Sequence, residues 1–163
     1  MIKLMRIDER LIHGQVAVVW SKQLDVNRII VADDDVVKNE TQMMALKMAV
    51  PSNIKATIVE VDKAIALIND PRAAALKIFV IVSNPKTAYR LANEVEAIPA
   101  INIGNFGRMS SVKGDEQKEK IGNNFYVDSE DKVDFLKLKE FGIPVYYQNV
   151  PTDQKKDVEG LLK

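Results

Sequence analysis

A single histidine, His13, occurs in the chain, within the charged stretch MRIDERLIHGQVAVVW at residues 5–20. Arg6, Asp8, Glu9 and Arg10 lie just before it, and an amphipathic, helix-like pattern starts just after it. A neutral imidazole has a lone pair that can attack phosphorus and form a covalent intermediate. Two arginines supply forked donors that match phosphate oxygens. A helix starting about one residue after His13 adds exposed backbone N–H groups and the positive end of its dipole, a ready anion site. Asp8 can hold an arginine in place, or fix the imidazole tautomer by accepting an N–H.

A plainer reading stands beside this one. A lone histidine at a helix start is often a cap or a solvated side chain, and Arg6 and Arg10 can be ion-pair partners of Asp8 and Glu9. Trp20, seven residues after His13, falls on roughly the same helix face and reads as core. The acidic run Asp33, Asp34, Asp35 reads as a solvated loop or helix cap; its sharper reading is a magnesium site.

Composition limits the function classes. The length of 163 residues fits one domain, with hydrophobic residues at 47% and charged residues at 28%. Lys+Arg and Asp+Glu both number 23, so there is no basic excess of the kind that marks nucleic-acid binders. With no cysteine, disulfides, thiol nucleophiles and thiolate metal sites are all removed, which fits a reducing cytoplasm. The charged start MIKLMRIDER is no signal peptide, and no apolar run approaches bilayer-spanning length.

The elements that must position these residues alternate along the chain. Strands are predicted at residues 2–7 (IKLMRI), 27–33, 55–61, 77–83, 100–105, 124–128 and 144–150. On the first strand, alternation predicts Ile2, Leu4 and Arg6 on one side and Lys3, Met5 and Ile7 on the other. Arg6 is thereby expected at the strand end, where its guanidinium can reach solvent or an anion. Helices are predicted at residues 14–24, 40–50, 62–70, 84–97, 129–142 and 152–163. Asn84 and Ser129 are the expected caps, Pro85 starts a helix, Pro71 stops one, and Gly142 ends another. In the second helix Met43, Leu46, Met48 and Val50 are expected to supply apolar surface. The fourth strand, KIFVIVS, is apolar on both faces, as a central parallel strand must be. The pattern implies an α/β fold: an open, mostly parallel seven-stranded sheet with helices on both faces. The irregular stretch 104–123 is expected to be a loop beside a site.

Open α/β sheets bind ligands outside the carboxyl ends of their strands. That rule selects Arg6–Gly14, residues 32–35, the Ser83–Asn84–Pro85 turn and the Gly104–Arg108 turn. They converge only if their strands are neighbours.

The string RIDERLIHGQV closely resembles the N-terminal signature of the enzyme IIB components of the mannose/fructose/sorbose family of the bacterial phosphoenolpyruvate-dependent sugar phosphotransferase system. Similarity continues through RIIVADD, SNP, NIGN and the VDSED to TDQKK region, so it spans essentially the whole chain as a single IIB domain, residues 1–163. The resemblance implies that His13 accepts a phosphoryl group from a phosphohistidine on a IIA protein and passes it to a sugar carried by the membrane IIC and IID components. It implies that Arg10 and the backbone of Leu11, Ile12 and Gly14 hold the phosphate. Arg6, Asp8 and Gln15 match other positions in that loop, and Asp34, Ser83 and Asn84 are supporting candidates at the neighbouring strand ends. A cytoplasmic phosphotransferase without metal or organic cofactor is expected, with no nucleic-acid partner. Because two large partners must reach His13, the site is expected to be shallow, with Leu11 and Ile12 part of the docking surface. The alternative is a receiver-like or magnesium-dependent module using Asp33–Asp35. The sequence leaves open a homodimer, the identity of the sugar, and whether IIA is a separate chain. Many family members carry two adjacent glycines after the fifth strand, where this chain has Gly104, Asn105, Phe106 and Gly107.

Overall fold

The computed structural model describes residues 1–108 and 117–163. Nine strands and six α-helices are seen among them: β1 (Ile2–Ile7), α1 (Gly14–Leu24), β2 (Arg28–Ala32), α2 (Glu40–Met48), β3 (Lys55–Val59), α3 (Val61–Asn69), β4 (Ile78–Val82), α4 (Pro85–Glu94), β5 (Ile101–Ile103), β6 (Glu119–Gly122), β7 (Phe125–Val127), α5 (Ser129–Lys137), β8 (Val145–Tyr147), β9 (Lys156–Asp157) and α6 (Val158–Leu162). Seven strands form the main sheet in the order β3-β2-β4-β1-β5-β8-β9. All pairings in it are parallel except β8 with β9.

The chain moves from β1 toward β3 and then reverses toward β8. Right-handed crossovers require those two directions to use opposite faces. Accordingly Ala17 and Trp20 of α1 and Leu46 of α2 pack with Leu4, Ile29 and Phe79 on one face. Residues from α3, α4, α5 and α6, among them Ala64, Leu91, Phe135 and Leu162, pack with Met5, Ile7 and Val80 on the other. β4 is buried at all its positions, as expected for a strand covered on both faces.

The sheet has the expected number of strands but not the expected membership. Residues 125–127 do not join it; they pair with β6 as a separate antiparallel hairpin. The seventh place is taken by β9, which lies within the stretch expected to be entirely helical. A two-residue edge strand of lysine and aspartate carries no apolar alternation, so nothing in its pattern announces it. Ile2 packs with Met5 and Ile7 rather than with Leu4, because the register with β4 shifts between Ile2 and Leu4. The cap of α5 is Asp128, not Ser129: its carboxylate accepts the Asp131 N–H while Asp131 reaches back in a capping box. Of the residues expected to supply apolar surface on α2, Leu46 is buried and Met48 is 84% exposed at the helix end. Asn84 caps α4 ahead of Pro85, and Gly142 adopts φ 69 at the stop after α5, as expected. Of the irregular stretch 104–123, residues 109–116 lie outside the described residues.

Candidate functional site

The four segments selected by the strand-end rule follow β2, β4, β1 and β5, which are consecutive neighbours in the sheet. β1 leads away toward β3 and β5 leads away toward β8, so the connections diverge between β1 and β5. That is the switch point at which doubly wound sheets open a crevice. Backbone bonds tie the strand ends together here: Gly104 N–H to Ile7 O and Glu9 N–H to Asn105 O, each at 2.8 Å, link β1 to β5, and Asp8 N–H to Val82 O at 2.8 Å links β1 to β4.

Asp8 is held from both neighbouring strands and has no solvent exposure. Its Oδ1 accepts the Arg10 N–H at 3.0 Å. Its Oδ2 accepts from Arg6 Nη2 at 3.1 Å and Asn105 Nδ2 at 3.2 Å, and lies 3.2 Å from His13 Nε2. Burial pushes the Asp8 carboxyl upward, but the bonds and charges of His13, Arg6 and Asn105 together outweigh it and leave the group below the ordinary carboxylate range. Asp8 is therefore an anion and can only accept, so the proton between Asp8 and His13 sits on Nε2. In the neutral ring the lone pair then lies on Nδ1.

His13 is the N-cap of α1, in extended conformation, and its side chain makes no cap hydrogen bond. Nδ1 is thus not spent on the helix, and the side chain is 21% exposed. The N–H groups of Gly14, Gln15 and Val16 fall in the first turn, where no intrahelical acceptor exists. The first turn also contains no acidic residue, so the positive end of the dipole is not offset locally. Gly14 has φ +42, and the space where its Cβ would point is open to 4 Å. Arg10 is exposed, and its guanidinium has no hydrogen bond or ion pair among the described residues.

The turn that presents His13 is strained and anchored. Leu11 has φ 59, a left-handed conformation costing a non-glycine residue about 1–2 kcal/mol. Its N–H closes the turn on Asp8 O at 2.9 Å. The side chains of Leu11 and Ile12, 4% and 2% exposed, are buried with Trp20 and Leu4. That corrects the expectation that these two residues form a docking surface: they are the pegs that hold the turn. It also limits the backbone available to an anion, because the Arg10 and Leu11 N–H groups are already donated to Asp8.

Arg6 is likewise displaced from its expected role. Its side chain is 2% exposed and does not reach solvent. Nη1 donates to Asn102 Oδ1 and, at 3.2 Å, to Gln148 O, while Nη2 serves Asp8. The guanidinium carbon stands 5.2 Å from the centre of the Trp20 ring. Arg6 is a buried counter-ion behind Asp8, not a phosphate ligand at the surface. Trp20 is core, as expected, and its indole N–H ties α1 to Asn149 O at 2.9 Å. Asn105 lies in the Gly104–Arg108 turn selected from the sequence, whereas Asn102 and Gln148 were not among the sequence candidates; all three are buried around Arg6 and Asp8.

The remaining candidates cap backbone. Asp33 Oδ1 accepts from Asp35 N and Val36 N, each at 2.9 Å. Asp34 Oδ1 accepts from Val61 N at 2.9 Å and so caps α3. Asn84 Oδ1 accepts from Thr87 N at 2.9 Å, and its amide donates to the Ser83 hydroxyl at 3.0 Å. Gln15 is exposed in the first turn of α1. Among the described residues, no three His, Asp or Glu side chains converge in an arrangement that could hold a metal ion. No described helix is long and apolar enough to cross a membrane.

Residues 2–163 match the family model of the PTS system sorbose subfamily IIB component. The chain belongs to this family. Among IIB relatives, a probable phosphotransferase enzyme IIB component of Streptococcus pyogenes serotype M6 is 40% identical, with 99% of each chain covered. The sorbose-specific EIIB component of Lacticaseibacillus casei is 34% identical over 96% of this chain and 92% of its own. The mannose-specific EIIAB component of Escherichia coli K12 is 35% identical over 99% of this chain, which spans only 48% of that longer protein. The crystal structure of the IIBSor domain of the Klebsiella pneumoniae sorbose permease superposes with a TM-score of 0.87 at 31% identity, over 97% of this chain and 93% of that one. The IIB family places the chain among phosphotransferase components of sugar uptake.

Proposed function

We propose that this IIB component is a phosphocarrier in which His13 Nδ1 is the covalent acceptor. The observation that carries this reading is the bond between His13 Nε2 and the ionised, fully buried Asp8, which leaves Nδ1 as the nucleophile beside an open helix terminus. The donor is a phosphohistidine on a IIA protein, consistent with the fused EIIAB name of one relative. The Nδ1 lone pair attacks phosphorus as the donor's P–N bond breaks and its electron pair returns to the donor ring. The Nε2 proton stays on His13, where Asp8 stabilises the positive charge that the ring acquires.

The moving phosphoryl group gathers charge on its oxygens, and fixed donors aimed at that charge supply most of the catalysis. Arg10 and the N–H groups at the start of α1 are those donors. In the second step, a hydroxyl of the sugar carried by IIC and IID attacks phosphorus, the P–N bond to His13 breaks, and the pair returns to Nδ1. The hydroxyl proton leaves to solvent. The component acts at the cytoplasmic face of that transporter.

The test is labelling through phosphoenolpyruvate, the general phosphotransferase proteins and a cognate IIA. Wild type is labelled. His13→Ala, which removes the chain's only imidazole, is expected to fold and to take no label. Equal labelling of the two proteins would overturn the proposal.

A further inference from the structure

Asn102 is the middle residue of β5, fully buried between Ile101 and Ile103. An amide in such a place is costly unless its groups are paired. Both ends are paired: Oδ1 accepts from Arg6 Nη1, and Nδ2 donates to Gln148 O at 3.0 Å. Gln148 O also accepts from Arg6 Nη1, at 3.2 Å. The three groups close a small ring across β1, β5 and the end of β8. Sheet register sets it up, since Arg6 pairs with Asn102 and Asn102 with Tyr146.

The ring has a directional consequence. Arg6 could turn its planar fork in several ways; with Nη1 clamped, Nη2 is left facing Asp8 Oδ2 at 3.1 Å. Gly104 completes the constraint, because a Cβ there would stand 2.2 Å from Arg6 Nη2. The same Asp8 oxygen receives His13 Nε2. A continuous chain thus runs from Asn102 through Arg6 and Asp8 to the ring of His13. The links from Asn102 to Arg6 and from Arg6 to Asp8 are charge-assisted bonds buried from solvent, the setting in which such bonds polarise one another, and the last link reaches the partly exposed ring of His13.

We propose that Asn102 is a positioning residue of the phosphoryl-transfer site, clamping Arg6 against Asp8 so that His13 is held in its Nε2–H tautomer with Nδ1 free. The proposal rests on the phosphocarrier reading for its rate consequence but not for its tautomer consequence. Loss of the clamp frees the guanidinium to turn from Asp8. A buried carboxyl without its cation takes up a proton more readily, and a protonated Asp8 donates to Nε2 and moves the ring proton to Nδ1.

The experiment compares wild type with Asn102→Ala, Asn102→Asp and Ile101→Val. Asn102→Asp keeps the volume and draws Arg6 away from Asp8 by competition. Ile101→Val perturbs the same strand without touching Arg6. The 15N shifts of the two His13 ring nitrogens in the unphosphorylated protein report the tautomer. Transfer kinetics from phospho-IIA report kcat and KM separately. For either Asn102 variant we expect a smaller Nε2–H population and a kcat lower by about tenfold to a hundredfold, the scale of a misplaced reacting group, with KM for phospho-IIA unchanged. Ile101→Val is expected to shift neither readout. An unmoved tautomer in a folded Asn102 variant overturns the proposal, and so does an equal shift in Ile101→Val. A moved tautomer with no phosphoryl transfer even in wild type would sustain the clamp and defeat the phosphocarrier reading instead.

Discussion

Asp8 Oδ2 stands 3.2 Å from His13 Nε2 and 3.1 Å from Arg6 Nη2, so one buried oxygen joins the surface imidazole to a permanent cation in the core. The bonds and charges of His13, Arg6 and Asn105 together keep the carboxylate ionised against its burial, and an ionised carboxylate can only accept, which puts the proton on Nε2.

Asp8→Asn tests that arrangement while preserving shape. The asparagine amide brings no charge and can present N–H to the imidazole, reversing the tautomer. It also strands Arg6 as an unpaired buried cation. Breaking one side of a buried pair typically costs about 3–5 kcal/mol, and we expect a loss of that order in urea unfolding. Transfer from phospho-IIA, measured at a temperature where the variant is folded, should fall at least about tenfold, since the wrong tautomer offers no lone pair at Nδ1.

Arg10→Lys separates charge from geometry. The side chain is exposed, so unfolding should change by no more than about 0.5 kcal/mol. Lysine cannot form a planar fork to two phosphate oxygens. A fall of about tenfold in transfer rate, or about 1.4 kcal/mol of transition-state stabilisation, is expected in rapid-quench kinetics. Wild-type kinetics would remove Arg10 from the phosphate site.

The two glycines of the site should respond differently to alanine. At Gly104 the new methyl meets the Arg6 guanidinium, and the overpacking should cost about 1–3 kcal/mol and disturb Asp8. At Gly14 nothing stands within 4 Å, and only the positive φ resists, at roughly 1–2 kcal/mol. Thermal unfolding measures both. His13 ring shifts should move with Gly104→Ala.

Acid should weaken the fold through Asp8. Its folded-state pKa lies below that of the unfolded chain, so the folded state binds fewer protons and is favoured at higher pH. The stabilisation is complete above the unfolded carboxyl value, about 4, and is lost as pH falls through the lower folded value. Arg6, which stays charged, and His13 are the ionisable groups that face it. Urea midpoints measured from pH 6 down to acid should decline more steeply for wild type than for Asp8→Asn.

Much of this site is written in residues 6–15. The histidine, the charged neighbours and the helix start are adjacent in sequence, so their proximity needs no tertiary knowledge. The inner half is different. Alternation set Arg6 on the side of Leu4 at the end of β1 and suggested reach to solvent, but burial comes from partners distant in sequence, residues 102 and 148 on Arg6 and 105 on Asp8. Those contacts depend on β5 lying next to β1 and β8 next to β5, an order that local pattern does not carry. Asn102 left one trace, a polar residue inside an apolar strand. The docking role expected for Leu11 and Ile12 failed because a turn with φ 59 at Leu11 sends both side chains inward, and nothing in the residue type signals a left-handed leucine. The α/β class and the two covered faces followed from periodicity, whereas β9 did not, being too short and too charged to show any.

We propose that the phosphoryl group is carried on Nδ1 of His13, and the position of that group can be read directly. The direct measurement is NMR of 15N-histidine-labelled protein after phosphorylation by phospho-IIA, with acid and alkali stability and peptide mapping in parallel. A phosphorus–nitrogen bond is labile in acid and survives alkali, whereas an acyl phosphate is cut by hydroxide or hydroxylamine. Carriage on Nδ1 gives alkali-stable label on the peptide containing His13, with phosphorus coupled to Nδ1 and the proton retained on Nε2. Phosphorus on Nε2, or alkali-labile label mapping to Asp33, Asp34 or Asp35, would contradict it.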